Sequence, residues 1–141
     1  MEVFSGDRAT SWVVLAGLSQ LGLAVGSALI PAVLGWREET RRLSDLTRSV
    51  FWTYAGYILG TNLCMGLLSV MRPEWLLDGS GLARSVCAYI TLYWGVRLSI
   101  QLVSFRKHAP AGRLFLWAEG GLSLLFLGWT VLYGAIALGG L

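Results

Sequence analysis

Charged residues, histidine and cysteine are all scarce in this chain, and their scarcity excludes several classes of protein. Only 13% of the 141 residues are charged, against about a quarter in soluble domains. The single histidine, His108, cannot supply two axial haem ligands. Cys64 and Cys87 do not form a CxxC motif, which argues against a metal site or a redox pair. Contact between them is possible, but we expect free packing thiols because a disulfide has strict distance demands. No GxSxG elbow or phosphate-binding loop occurs, so we expect neither a hydrolase nor a kinase.

Apolar residues, in contrast, are abundant. They make up 55% of the chain, and the mean hydropathy is +0.63. Such a chain has too little polar surface for a water-soluble globule, so a lipid bilayer is its natural solvent. The net charge is only +3, and no basic stripe with interleaved aromatic residues lies outside the apolar runs. We therefore expect no nucleic-acid partner.

Four apolar runs lie at about residues 11–34, 51–71, 82–105 and 114–138. Each run reaches the ~20 residues that a helix needs to cross a bilayer. Backbone polar groups in lipid must be paired within their own segment, so the runs predict helices rather than strands. The sequence thus predicts an all-α polytopic membrane protein, with one transmembrane domain over residues 1–141 folded as an antiparallel four-helix bundle. The first run is too long for a cleaved signal, and we expect it to be retained.

Positive residues concentrate in two of the three segments that connect these runs. Residues 35–49 hold four arginines, and residues 106–113 hold two arginines and a lysine. Positive residues favour the cytoplasmic side of a membrane. This distribution predicts both termini on the outer side, and it fits a bacterial inner (cytoplasmic) membrane.

Two opposite charges lie inside the last two apolar runs. Arg97 is eight residues before Phe105, and Glu119 is six residues after Arg113. Both therefore lie roughly 9–12 Å from the same membrane surface. An arginine at mid-bilayer costs about 2.5–3.5 kcal/mol on insertion scales, so it needs a partner. We expect Arg97 and Glu119 to pair, directly or through water, which would keep both ionised.

Other polar and aromatic side chains are spaced to surround this pair. Tyr93, Trp94 and Gln101 fall on the same side of the third helix as the arginine. Tyr54 and Asn62 of the second helix could face them. The set predicts a polar pocket that opens inward. It is either a clamp that holds two helices in register or a site for an anionic headgroup, a quinone-like ring or a coupled proton.

Two glycine motifs indicate close helix packing. They are Gly22-x-x-x-Gly26 in the first run and Gly56-x-x-x-Gly60 in the second. Glycines at this spacing let helix backbones approach each other in a membrane. We expect them to serve packing within the bundle or, alternatively, contacts between subunits.

The connecting segments contain further local signals. Residues 36–49 are either a short interfacial helix, with Glu38 paired to Arg42 and Arg41 to Asp45, or a solvated connector. In the outer segment, Pro73 suits a first helical turn. Asp78-Gly79 predicts a turn, and Ser80 predicts a helix cap.

The short connecting segments leave no room for a soluble catalytic domain, so the sequence favours a non-enzymatic role. The first hypothesis is an accessory or scaffold subunit, or a small lipophile-binding protein, whose partners are membrane lipid, other membrane subunits or a second copy. The alternatives are a small transporter that uses Glu119 to carry a proton and a redox subunit that binds a quinone. No cofactor is predicted beyond a bound quinone or lipid.

Overall fold

A computed structural model describes residues 3–105 and 113–140, and all regular structure in these residues is helical. Helices α1 and α2 are Val3–Val33 and Trp36–Thr40, α3 and α4 are Asp45–Met71 and Pro73–Leu77, and α5 is Gly81–Ile100. A π-helix, Gln101–Phe105, continues α5, and the last helix, α6, is Arg113–Ala137. The prediction of an all-α protein is confirmed.

Four helices in the described residues are long and apolar enough to cross a membrane. Their candidate spans are Asp7–Val33, Asp45–Met71, Gly81–Val103 and Trp117–Ala137. These spans match the four apolar runs in number and order, although α1 and α3 begin several residues before their runs. Helix α3, for example, begins at Asp45 rather than near residue 51, because Ser44 caps it by accepting a hydrogen bond from the N–H of Thr47.

By its internal contacts the chain divides into two compact units. One comprises Met1–Trp12 together with Glu74–Leu141, and the other comprises Val13–Pro73.

In the unit Val13–Pro73, α1 and α3 approach closely at two glycines. A Cβ built on Gly17 would lie 2.8 Å from the Cβ of Ser69 and 2.9 Å from the carbonyl oxygen of Gly66. A Cβ built on Gly66 would lie 2.9 Å from the side chain of Leu21. No side chain larger than hydrogen fits at either position without movement, so the missing side chains let the two backbones meet.

Two exposed ion pairs lie in this unit, one in the segment between α1 and α3 and one in the first turn of α3. Arg41 binds Glu38 at 3.0 Å, and Arg48 binds Asp45. Both pairs are three residues apart, whereas the sequence predicted pairs four apart that would join Glu38 to Arg42 and Arg41 to Asp45. That prediction was wrong, because α2 is short and the chain turns before α3 begins.

The segment that leads into α5, most of which belongs to the unit that includes Glu74–Leu141, follows the local sequence signals. Pro73 opens α4, Gly79 turns the chain with a φ of 72°, and the hydroxyl of Ser80 accepts a hydrogen bond from the N–H of Ala83 at 3.1 Å. The hydroxyl and the backbone N–H of Ser80 also lower the pKa of Asp78 below its ordinary value. The predicted first-turn proline, turn and helix cap are all confirmed.

Helices α5 and α6 pack against each other in this unit. They are antiparallel. Thr91 of α5 faces Gly134 of α6, and Gly95, four residues later in α5, faces Thr130, four residues earlier in α6. The glycine Cβ positions lie 3.4 Å and 3.5 Å from the threonine methyl groups. The buried residues of both helices recur every three or four positions, as an amphipathic helix requires: Ala83, Cys87, Ile90 and Trp94 on α5, and Phe126, Trp129, Tyr133 and Ile136 on α6.

The C-terminus of α6 is closed by two glycines. The N–H of Gly140 donates to the carbonyl of Ala135 at 2.8 Å, and the N–H of Gly139 donates to that of Ile136 at 3.0 Å. These two bonds, with a φ of 76° at Gly139, form a Schellman motif. The guanidinium of Arg84 lies beside Gly139, where its charge is favourable for the negative end of the helix dipole.

Candidate functional site

Arg97 is the charged residue deepest in the candidate span Gly81–Val103, six residues before the span ends. Its Cζ lies 5.6 Å from the centre of the Phe126 ring on α6. A guanidinium over an aromatic face at this distance is a cation–π contact. The side chain is half-buried, so it is held against α6 while part of its surface stays accessible.

An aromatic cluster surrounds the ring that Arg97 contacts. Trp94, which is 1% exposed, stacks on Phe126 with ring centres 5.2 Å apart and lies 4.4 Å from the ring centre of Trp129. Tyr93 meets Trp94 edge-on at 5.2 Å. Offset and edge-on aromatic pairs add to the stability that burial alone provides. Arg97 and Trp94 share Phe126 as a neighbour, so packing of the cluster fixes the surface on which the guanidinium rests.

The guanidinium of Arg97 and the carboxylate of Glu119 are not brought together as a direct ion pair. Neither Arg97 nor Glu119 takes part in an ion pair within 4.0 Å among the described side chains, and the pairs Arg41–Glu38 and Arg48–Asp45 lie elsewhere in the chain. The reason is register. Arg97 reaches Phe126, which is seven residues along α6 from Glu119, or roughly 10 Å at 1.5 Å per residue.

Gln101 takes the place next to Glu119 instead. Its side chain is 3% exposed, and its Nε2 donates to the backbone carbonyl of Glu119 at 3.4 Å. The two predicted site residues therefore meet through the backbone rather than through the carboxylate. Gln101 is also the first residue of the π-helix, and π-helical turns are frequent at functional sites.

A row of side chains one turn apart leads away from Gln101 along α5. Arg97, Tyr93 and Tyr89 follow at four-residue spacing, which places them on one side of the helix. The rings of Tyr89 and Tyr93 have centres 6.4 Å apart, and Tyr89 is 54% exposed. Tyr89, Phe126 and Trp129 were not among the residues singled out from the sequence. The four-residue spacing would have identified Tyr89, whereas the two α6 residues needed the register of the helices.

The remaining predicted pocket residues belong to the unit Val13–Pro73. Asn62 is buried there, and within the described part of the chain its Oδ1 has no hydrogen-bond partner. Tyr54 is exposed. Their predicted place in the pocket stays a prediction.

The four glycines predicted for helix packing have open space beside them within the described residues, so their predicted role stays a prediction. A Cβ at Gly22, Gly26, Gly56 or Gly60 would meet no atom of the described residues within 4 Å. The glycines at the close approach of α1 and α3 are Gly17 and Gly66 instead.

Both cysteines are free thiols. Cys64 is exposed, and Cys87 is buried with its Sγ 3.8 Å from the backbone carbonyl oxygen of Leu76. In the described ranges, no group of three or more histidine, cysteine, aspartate or glutamate side chains is arranged to hold a metal ion. The groups that the structure places around Arg97 are aromatic rings, the Tyr93 hydroxyl and, one turn away, the Gln101 amide.

We compared the chain with models of protein families, with curated proteins and with solved structures, and none of them matched.

Proposed function

We propose that this protein binds an amphiphile through an anionic headgroup at Arg97. The observation that carries the proposal is the arginine itself, which lies inside a candidate span, rests on Phe126, and has no carboxylate of the described residues within 4.0 Å. A phosphate or carboxylate headgroup would supply the missing counter-charge. A guanidinium suits both groups, because its planar fork of donors can bind two oxygens at once.

The energies support a ligand at this position. An arginine in the middle of a bilayer costs about 2.5–3.5 kcal/mol on insertion scales. A cation–π contact returns about 0.5–2 kcal/mol, with the larger value for desolvated pairs. The contact with Phe126 therefore offsets part of the cost of Arg97, and an anion that pairs with the guanidinium would offset the remainder.

In this proposal, the four apolar helices insert as an antiparallel bundle in a bacterial inner membrane. The arginine-rich segments lie in the cytoplasm and both termini lie outside. Arg97 then occupies the cytoplasmic half of its span, roughly 9 Å from the end at Val103. A side chain of this length can extend toward the interface, so headgroups of the inner leaflet are within its reach.

The position of Glu119 makes a proton or cation carrier the weaker hypothesis. Coupling-ion sites of transporters lie near the bilayer midplane. Glu119 follows Arg113, where α6 begins, by six residues, and the midpoint of that 25-residue helix is residue 125. The carboxylate of Glu119 is also not paired with Arg97. Arg97 is the only basic residue of the candidate spans that lies well inside its span.

The first prediction tests headgroup binding directly. We expect Arg97→Gln to lose most of the phosphatidylglycerol that wild-type protein retains after release from nanodiscs, because the charged donor is gone. Native mass spectrometry would count the retained lipids. A parallel titration with stearate in detergent distinguishes a carboxylate ligand from a phosphate ligand, and Arg97→Lys should keep part of the binding because the charge remains without the fork.

Arg48→Gln is the matched control, because it removes the same charge from an exposed pair that contributes little to stability. We expect it to retain lipid like the wild type. Equal lipid retention by wild type, Arg97→Gln and Arg48→Gln, with lower stability of Arg97→Gln only, would show that Arg97 is a structural clamp and would overturn the proposal.

A further inference from the structure

Two tyrosines extend the Arg97 site toward the middle of the membrane. Tyr93 stands twelve residues after Gly81 and ten before Val103, close to the centre of that candidate span. Tyr89 lies one turn further from Arg97, and both rings are at least partly accessible. Arg97, Tyr93 and Tyr89 form a continuous polar row along one side of α5, which we call the α5 track.

The depth of these tyrosines is unusual. Tyrosine is enriched at membrane interfaces, where its hydroxyl reaches water and headgroups. Neither Tyr89 nor Tyr93 makes a hydrogen bond within the described part of the chain. A hydroxyl in hydrocarbon without an acceptor carries a free-energy cost. The two phenols therefore have no acceptor among these residues, acyl chains at mid-membrane depth offer none, and both lie in line with Arg97, where a ligand could supply one.

We propose that the ligand of the α5 track is an amphiphile with two separated polar groups. Its anionic head pairs with Arg97, and an oxygen acceptor within its chain accepts a hydrogen bond from Tyr93 or Tyr89. This inference rests on the proposed function, because the head occupies the same arginine. It adds the class of ligand: a long-chain acid or phosphate ester that carries a keto, ester or hydroxyl oxygen near the middle of its chain.

The geometry disfavours an ordinary diacyl phospholipid as the specific ligand. Arg97 and Tyr93 are one turn apart, about 6 Å along the helix, and Tyr89 is about 12 Å from Arg97. Side chains of a helix lean toward its N-terminus, and in α5 that direction leads away from the arginine-rich segments. The tyrosine hydroxyls therefore lie deeper than the ester groups of a phospholipid whose phosphate stays near the interface.

The experiment compares two probes that differ only in the mid-chain oxygen: stearate and a stearate with a keto group at mid-chain. Native mass spectrometry of the full-length protein in detergent gives the dissociation constant of each. We expect wild type to bind the keto acid about fivefold more tightly, as one net hydrogen bond would provide. The double variant Tyr89→Phe/Tyr93→Phe should bind both acids equally, because phenylalanine keeps the rings and removes the donors.

Tyr57→Phe is the control, since Tyr57 is exposed near the middle of another candidate span, Asp45–Met71, and lies outside the track. It should keep the fivefold preference. If wild type binds both acids with equal affinity and Arg97→Gln weakens both, the tyrosine inference fails and the proposed function stands. If neither acid binds in an Arg97-dependent way and phosphatidylglycerol retention is also independent of Arg97, both proposals fail.

Discussion

At the scale of single residues, two features disfavour any side chain at position 139, which is Gly139. Its φ of 76° lies in the left-handed region, where a side chain costs about 1–2 kcal/mol. A Cβ there would also lie 2.9 Å from the Nη2 of Arg84. The arginine can move, because the contact involves the end of a flexible side chain, whereas the backbone angle is fixed by the Schellman motif.

We therefore expect Gly139→Ala to lower the free energy of unfolding by about 1 kcal/mol. Unfolding in mixed micelles with a rising fraction of SDS would measure the change. Gly140→Ala is the matched control, because Gly140 has no positive φ and its Cβ would lie 3.4 Å from the carbonyl oxygen of Ala135. Equal loss of stability in both variants would contradict the assignment of strain to the φ of Gly139.

Residue identity alone indicated part of the candidate site. An arginine within an apolar run is so costly that Arg97 could be selected from the sequence, and helical spacing then led to Tyr93, Trp94 and Gln101. Phe126 could not be found in this way. An aromatic residue in an apolar helix has many roles, and only the packing of α5 on α6 shows which ring lies under the guanidinium.

At the scale of elements, the α1–α3 crossing shows which glycines are required for packing. A Cβ at Gly17 meets backbone as well as side-chain atoms, and backbone cannot move aside easily. We expect Gly17→Ala to destabilise the protein by about 1–3 kcal/mol, as overpacking does in other cores. The same SDS unfolding measurement applies.

Gly22→Ala provides the comparison on the same helix. A Cβ there meets nothing within 4 Å in the described residues, and alanine favours helix more than glycine does. The variant should unfold like the wild type or slightly later. If Gly22→Ala is as destabilising as Gly17→Ala, then Gly22 is in close contact with something outside these residues, and the subunit-contact alternative for its motif gains support.

The sequence did not reveal the axial register between α5 and α6. Counting residues from the ends of the two apolar runs placed Arg97 and Glu119 at a similar depth. The contacts between α5 and α6 show instead that Arg97 is level with Phe126. Helix packing sets the axial offset through bulky and small residues along the whole contact, and the positions of the helix ends carry no information about that offset.

At the scale of the whole molecule, hydropathy was sufficient to predict the number, order and approximate position of the four long helices. It did not predict their ends, since helices continue past apolar runs into polar caps such as Ser44. In each candidate span, only 22% to 28% of the residues in the most apolar window are buried. Most residues of these windows are therefore not fully buried within the chain, as expected if lipid covers them in the proposed bundle.

The membrane orientation can be tested with cysteine labelling. In a variant without Cys64 and Cys87, we expect Asp78→Cys to react with a membrane-impermeant maleimide in intact spheroplasts, because residue 78 should face the outside. Glu39→Cys should react only after the membrane is opened. Both positions are exposed in the structure, so access to the reagent depends on the side of the membrane. The reverse pattern would show that the positive residues lie outside.

The π-helix at Gln101–Phe105 changes how any helical wheel of this region must be drawn. A π-turn accommodates one residue more than an α-turn, and each residue of an α-helix advances by about 100°. Positions within this segment are therefore shifted progressively from where an uninterrupted α-helix would place them, by about one residue over a full turn. A face traced from Tyr89 through Arg97 to Gln101 therefore does not extend at four-residue spacing into the π-helix.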